Sequence, residues 1–386
     1  MIHETLAMLD RHLEVNAAGT TTGPIAFPVQ AKIIATTREF PSDIAPEERQ
    51  DAVRRAIIEV AKLGRGRLTP TAFDKALRQE VGKLKRSATA TFNFVGWIAS
   101  SAEHLPRQLT WQRKTVRFGN KTTTALVSMP AKMELENLLS SWGSTNLTSV
   151  EFAVDGRSPL HAAHRARKIF AELRGCIDLV VSFRQVNWLF MGPPAHPHST
   201  PAYPIAVVLP VSEGLTADDK QQIKKYLPWV QKRLARHFAK DRLLVALRAY
   251  CAAVDTSDYE ISLRRLWTTL EILAGSDQSK VVIQRVASLY KHRAFESEQL
   301  RAFADLRNML THSHGVTDFD RTFVDQLRTR VHQAFQIHFV KGHEVATFDE
   351  LFRSVASALD EHEFASAERI LEAAKSERRR RESAPL

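Results

Sequence analysis

The 386-residue chain contains only two cysteines, Cys176 and Cys251. Two thiols exclude a disulfide framework and any site built on four thiolates. Both lie in apolar surroundings, where a small buried side chain is the expected role. Long apolar runs are also missing. The best, 177–190, is short and is broken by Arg184 and Asn187, so it falls below the length of a membrane span. The first residues, Met1-Ile2-His3-Glu4, lack the basic start and apolar core of a secretion signal. A soluble, reduced, cytoplasmic protein with no membrane contact is therefore expected. With 15 glycines and 16 prolines the chain is neither collagen-like nor Pro/Gly-rich, and 44% hydrophobic residues exclude a disordered one.

Several motifs are absent too. No Gly-x-Gly-x-x-Gly follows a strand-like run, and Gly119-Asn120-Lys121-Thr122 lacks the glycine beside the lysine that a phosphate loop requires. No Gly-x-Ser-x-Gly elbow occurs. The His196/His198 and His312/His314 pairs and the His161/His164 spacing do not add up to three or four converging ligands, and there is no His-Glu-x-x-His. No metal and no cofactor are expected.

What the chain does have is positive charge. Lys and Arg number 54 against 43 Asp and Glu, a net +11, and 36 of the 54 are arginine. Guanidinium forks match pairs of phosphate oxygens, so this balance suits an anionic polymer such as nucleic acid. The four arginines 378–381 read as a solvated tail.

The chain divides by pattern near residue 215. Residues 1–215 read as mixed α and β. Helical spacing runs over 46–63 and 69–84. The runs 109–118 and 122–129 read as two strands of a hairpin turning at Gly119-Asn120-Lys121. Segment 148–154 reads as a strand stopped by Asp155-Gly156. Ser158-Pro159 opens a helix to about 173, and 176–190 and 204–211 read as strands. Between these two, four prolines in the ten residues 192–201 mark a loop. After Gly214 no strand is evident. Helices are expected over 217–238, 241–254, 258–274, 280–291, 298–312, 317–340 and 348–380, with Thr317 and Asp320 as a cap. The expected class is α+β: a mixed domain 1–215, a helical bundle 216–345, and a C-terminal helix with a basic tail, 346–386.

The segment Leu306-Arg307-Asn308-Met309-Leu310-Thr311-His312-Ser313-His314-Gly315 ends the 298–312 helix. Its apolar stripe is Leu300, Phe303, Leu306 and Leu310. At about 100° per residue, Asn308 and His312 share one side and Arg307 sits on the shoulder. A cation, an amide and an imidazole are thus presented together. Imidazole transfers protons near neutral pH, and a guanidinium opposes charge growing on a phosphate. RNA cleavage without metal needs both a base and an acid, and one trio of Arg307, Asn308 and His312 supplies only one histidine. Two copies across a two-fold axis would complete the site, so a homodimer is expected.

The stretch 241–339 resembles the HEPN domain family, in particular its Apea-like branch. The resemblance rests on Leu266-Trp267-Thr268-Thr269-Leu270-Glu271 on one helix and Leu306-Arg307-Asn308 with His312 on a later one, with a helix at 282–290 between them. It covers about a quarter of the chain. It implies a helical bundle, commonly dimeric, and a metal-independent endoribonuclease of toxin or anti-phage defence systems. It also implies Arg307, Asn308 and His312 as catalytic residues. His314 fits the spacing as well, and the doubled His-Ser-His-Gly ending departs from the usual single histidine. Glu271 matches a recurrent acidic position. Some members of the family are non-catalytic nucleic-acid- or nucleotide-binding modules or dimerisation modules, which is the alternative here. RNA is the expected partner, with Arg165, Arg167 and Lys168 in the basic stretch 161–168 as further RNA contacts. The mixed domain, 1–215, is expected to sense a trigger ligand or protein, or to restrain the nuclease.

Overall fold

The computed structural model describes residues 2–119, 147–181, 188–190, 215–312 and 321–359, apart from 13, 16–20, 23–26, 42–43, 64–67, 100–101 and 257. Among these the class is α+β, as expected. Helices α1 (Ile2–His12), α2 (Phe27–Thr37), α3 (Pro46–Leu63) and α4 (Pro70–Arg86) come first, with a short ladder of β1 (Glu14–Val15) and β2 (Thr21–Thr22). They pack round their own core of Leu6, Leu9, Ile34, Val53, Ile57 and Phe73. Thr69 caps α4, its hydroxyl accepting from the Ala72 N–H at 3.4 Å, and Pro70 fills the first turn, where a missing N–H costs nothing.

An antiparallel sheet follows, with strand order β4-β5-β6-β3-β7. Its strands are β3 (Ala90–Ala99), β4 (Gln108–Trp111), β5 (Lys114–Gly119), β6 (Leu147–Gly156) and β7 (Trp188–Phe190). β3 and β6 form the long central pair, from Ala90 opposite Gly156 to Ala99 opposite Leu147.

Two expectations for this region need correction. The run 109–118 is two strands, not one. It folds back at Gln112 and Arg113, with φ of 48° and 64°, so that Trp111 pairs with Lys114. Two-residue hairpins need positive φ at their centre, and Asn-Gly is the usual signal for it. Gln-Arg carries no such signal, so local preference places the turn at the next Gly-Asn instead. The expected partner strand 122–129 lies outside the described residues.

The second correction concerns 176–190. Residues up to Val180 continue the helix α5 (Pro159–Val180), and only Trp188–Phe190 are strand, paired with β3. An apolar run is ambiguous between a strand and a helix buried on two sides. Here it is a buried helix. One side of α5 meets the sheet through Phe170, whose ring centroid is 5.3 Å from that of Phe94. The other side meets the helical half, and Gly175 sets the approach: a Cβ there would lie 2.8 Å from the Leu247 carbonyl oxygen.

The helical half comprises α6 (Ala217–Arg236), α7 (Lys240–Val254), α8 (Tyr259–Ala274), α9 (Ser279–Ala287), α10 (Arg293–His312), α11 (Arg321–Lys341) and α12 (Phe348–Leu359). Thr216 and Asp219 cap α6 reciprocally. The stripe Leu263, Leu266, Trp267, Leu270 and Leu273 of α8 is fully buried, as are Leu300 and Phe303 of α10. The Thr317/Asp320 cap, the strand expected at 204–211 and residues beyond 359 lie outside the described residues. One core unites the sheet, α5 and these helices, from Phe94 and Trp111 to Phe335 and Phe339. The apolar interior therefore runs across residue 215, whereas α1–α4 keep a core of their own.

Candidate functional site

α10 and α8 lie side by side, and their facing residues bring three of the expected site residues together. Arg307 reaches across to Glu271, Nη2 to Oε1 at 2.5 Å. The same carboxylate oxygen accepts from the Trp267 indole N–H at 2.9 Å. Trp267 and Glu271 are four apart, one turn of α8, so the buried indole fixes the carboxylate that in turn fixes the guanidinium. The second arm of Arg307, Nη1, donates to Asn308 Oδ1 at 2.9 Å. Arg307 keeps 29% of its side chain exposed and Glu271 15%. Asn308 is exposed.

Burial raises the Glu271 carboxyl above its ordinary value, against the pull of Arg307, and Asp277 adds to the rise. The Thr311 hydroxyl donates to the Arg307 carbonyl at 2.8 Å, tying the last turn of the helix to itself. α10 runs through to His312. The His312 side chain and all of His314 lie outside the described residues. Chemically, the assembled group is a partly exposed guanidinium held by a carboxylate on one arm and by an exposed amide on the other. That arrangement can bind an anion and orient it.

Arg165, Arg167 and Lys168 belong to a different surface, on α5. Arg165 is exposed and donates to the Asp155 carbonyl at 2.6 Å. Arg167 is half-buried. Lys168 is exposed, and its ammonium is pushed below the usual lysine range by partial burial and by the like charge of Arg248.

The structure also assembles groups that no local spacing announces. Tyr250 and Arg328 meet Asp178 in the buried seam between α5, α7 and α11. Arg328 Nη2 lies 2.7 Å from Asp178 Oδ2, and its Nε donates to the Tyr250 hydroxyl at 3.0 Å. The same hydroxyl bonds Asp178 and approaches His332 Nε2 at 2.6 Å. Burial raises the Asp178 carboxyl against the pull of Arg328. Its Oδ1 is buried with no hydrogen-bond partner among the described residues. Two further ion pairs stitch the same seam, Arg174 with Asp255 and Arg248 with Glu172.

At the far end of α11, His338 Nε2 faces the Leu273 carbonyl at 2.8 Å and so must carry a proton. Its Nδ1 then accepts from His237 Nε2 at 3.0 Å, and His237 Nδ1 accepts from the Ala239 N–H at 2.9 Å. Both rings are neutral in this chain of bonds. Burial pushes His338 down to about 3 and His237 down to about 4, each with a smaller contribution from a neighbouring histidine. Sequence reading misses both clusters because their members lie far apart in the chain. The only sequence signal is polar residues on otherwise apolar helix faces.

Among the described residues, no three His, Cys, Asp or Glu side chains converge as a metal site would need. No described helix is long and apolar enough to cross a membrane. Cys176 and Cys251 are buried, and burial raises both thiols, which leaves them inert as nucleophiles. The chain matches no protein-family model, no curated protein and no solved structure.

Proposed function

We propose that the chain is a metal-independent endoribonuclease of HEPN type that works as a homodimer, with Arg307, Asn308 and a histidine at the end of α10 as its catalytic residues. One observation carries this reading: the Arg307 guanidinium is braced by Glu271, which Trp267 holds, while its other arm meets the exposed Asn308 amide and the side chain stays 29% exposed. A brace of this kind keeps a cation aimed without reorganisation, which is what stabilising charge on a phosphorane requires. Apolar surface on the same helix supports self-association, with Met309 45% and Phe295 61% exposed.

In the proposed reaction the ribose 2′-hydroxyl gives its proton to an imidazole and its oxygen attacks the adjacent phosphorus. The P–O5′ bond breaks, and the departing 5′-oxygen takes a proton from the imidazole of the other subunit. Arg307 binds the non-bridging oxygens throughout. His312 is the imidazole this reading favours, with His314 the alternative. The products are a 2′,3′-cyclic phosphate and a 5′-hydroxyl. A toxin or defence role, with residues 1–215 sensing a trigger, follows from the same reading.

The test is RNA cleavage by the full chain in the presence of chelator, with the end groups identified. Cyclic phosphate ends, lost in Arg307→Ala and His312→Ala, are the expected result. A requirement for divalent metal, or a chain of single-subunit mass at working concentration, would sink the proposal. A second reading is a non-catalytic binding or dimerisation module. It is favoured by the fact that Arg307 already spends one arm on Glu271 and one on Asn308. In that case RNA is retained on a gel but never shortened.

A further inference from the structure

Along the helical half, α6 and α11, with the end of α5, line a groove of 860 Å³. Its outer wall is α6. Two large aromatics on that wall are left open, Tyr226 at 43% and Trp229 at 38% exposure. Three residues apart, they stand on one side of the helix about 4.5 Å apart along its axis. Gln222 of α6 and Gln336 of α11 bring amides to the groove, and Phe335 and His332 line its inner side.

Solvating two such rings is unfavourable unless something covers them, and the charge around them says what. α6 carries six Lys and Arg against two Asp. Lys224, Lys225, Lys232 and Arg236 are exposed. Two of its cations lean on the aromatic rings: the Lys225 ammonium is 4.9 Å from the Tyr226 ring centre and the Arg233 guanidinium 5.6 Å from that of Trp229. Both Asp218 and Asp219 lie in the first turn, Asp219 spent on the helix cap, so the cationic surface grows toward the C-terminal end. Open aromatic rings interleaved with cations are complementary to unpaired bases joined by phosphates.

We propose that this groove is a lane for single-stranded RNA, in which successive bases stack on Tyr226 and Trp229 while Lys225, Lys232 and Arg236 neutralise the phosphates. This deepens the ribonuclease reading and rests on it for the identity of the polymer. The occupant is single-stranded because a duplex keeps its base faces stacked on each other and offers none to the rings. The lane is tolerant of sequence, because every base has a face to stack, while Gln222 and Gln336 can hydrogen-bond base edges.

The test uses the full wild-type chain and fluorescently labelled 2′-O-methyl oligouridine. This probe keeps bases and phosphates but lacks the 2′-hydroxyl that the proposed cleavage needs. Anisotropy titrations should show binding that weakens by about fivefold or more in Tyr226→Ala and again in Trp229→Ala, given the usual worth of a base stacked on an aromatic ring. Lys225→Gln with Lys232→Gln should reduce the salt dependence of binding by about two phosphate contacts. Unchanged affinity in the aromatic double variant would overturn the lane even if the wild type cuts RNA. Binding lost in the ring variants, from a chain that never cuts RNA, would keep the lane and remove the nuclease. Equal competition by a duplex or by polyglutamate would overturn the lane in favour of a general anion surface or an acidic protein partner.

Discussion

Two arginine–carboxylate pairs show what burial does to the same chemistry. Arg328 and Asp178 are each 5% exposed, share the Tyr250 hydroxyl and lie within one polar seam with His332. Arg307 and Glu271 are 29% and 15% exposed, and among the described residues the guanidinium's second arm bonds only the exposed Asn308 amide. The first pair joins α11 to α5 and so holds the helical half to the sheet. The second pair joins two neighbouring helices that the buried Trp267, Leu270 and Phe303 already hold together. A buried pair is expensive to break because the surviving charge is stranded. A half-exposed one contributes little to stability and leaves its cation available to a ligand. One is an internal fastening, and the other is a presented group.

The largest expected effect follows from the buried member. Arg328→Met should destabilise the fold by about 3–5 kcal/mol, read from urea unfolding midpoints. Replacing Asp178 by Leu in the same chain should restore much of that loss. Arg307→Ala should do the opposite: a fall in cleavage rate of about 100- to 1,000-fold, with a stability change of about 1 kcal/mol or less. If Arg307→Ala unfolds the chain while Arg328→Met leaves it intact, the contrast between the two pairs is wrong.

Acid provides a third measurement. His332 and His338 are pushed down to about 3 and His237 to about 4, chiefly by burial. The unfolded chain therefore binds protons that the folded one refuses. Their contribution is complete above about pH 7 and is lost as pH falls toward 4, by on the order of 3 kcal/mol for each ring as an upper bound. A midpoint that holds steady from pH 7 to pH 4.5 would show that these rings are not buried neutral.

Gly175→Ala should cost about 1–3 kcal/mol, since the added methyl meets the Leu247 backbone and must push α5 away from α7. The smallest effect is that of Glu271→Gln, about 0.5 kcal/mol in stability. The amide oxygen still accepts from Trp267, but the guanidinium loses its charged brace, so cleavage should fall far more than stability. Equal losses in both would make Glu271 a structural residue only.

The α10 segment is legible in the sequence because its information is local. Arg307 and Asn308 follow from one another by helical rotation, and the apolar residues that pin the helix recur every three or four positions. Glu271 is legible as a position but not as a role, because its bond to Arg307 spans 36 residues. The hairpin at Gln112-Arg113 escapes a sequence reading because tertiary packing imposes a turn that local preference does not signal. Trp111 and Val116 on either side of it are fully buried, and burying both outweighs two non-glycine residues at positive φ.

Read alone, the chain settled its secondary-structure class, the helices of its second half and the face of α10 that carries cation and amide. These depend on charge, composition and a 3.6-residue repeat, and all three are written within a few turns of chain. The tertiary structure alone decided that 176–180 is helix, that the core crosses residue 215, and that Asp178, Tyr250, Arg328 and His332 form one cluster. Each of these depends on desolvation by groups 70 or more residues away, and a sequence window cannot see what will exclude water from a side chain.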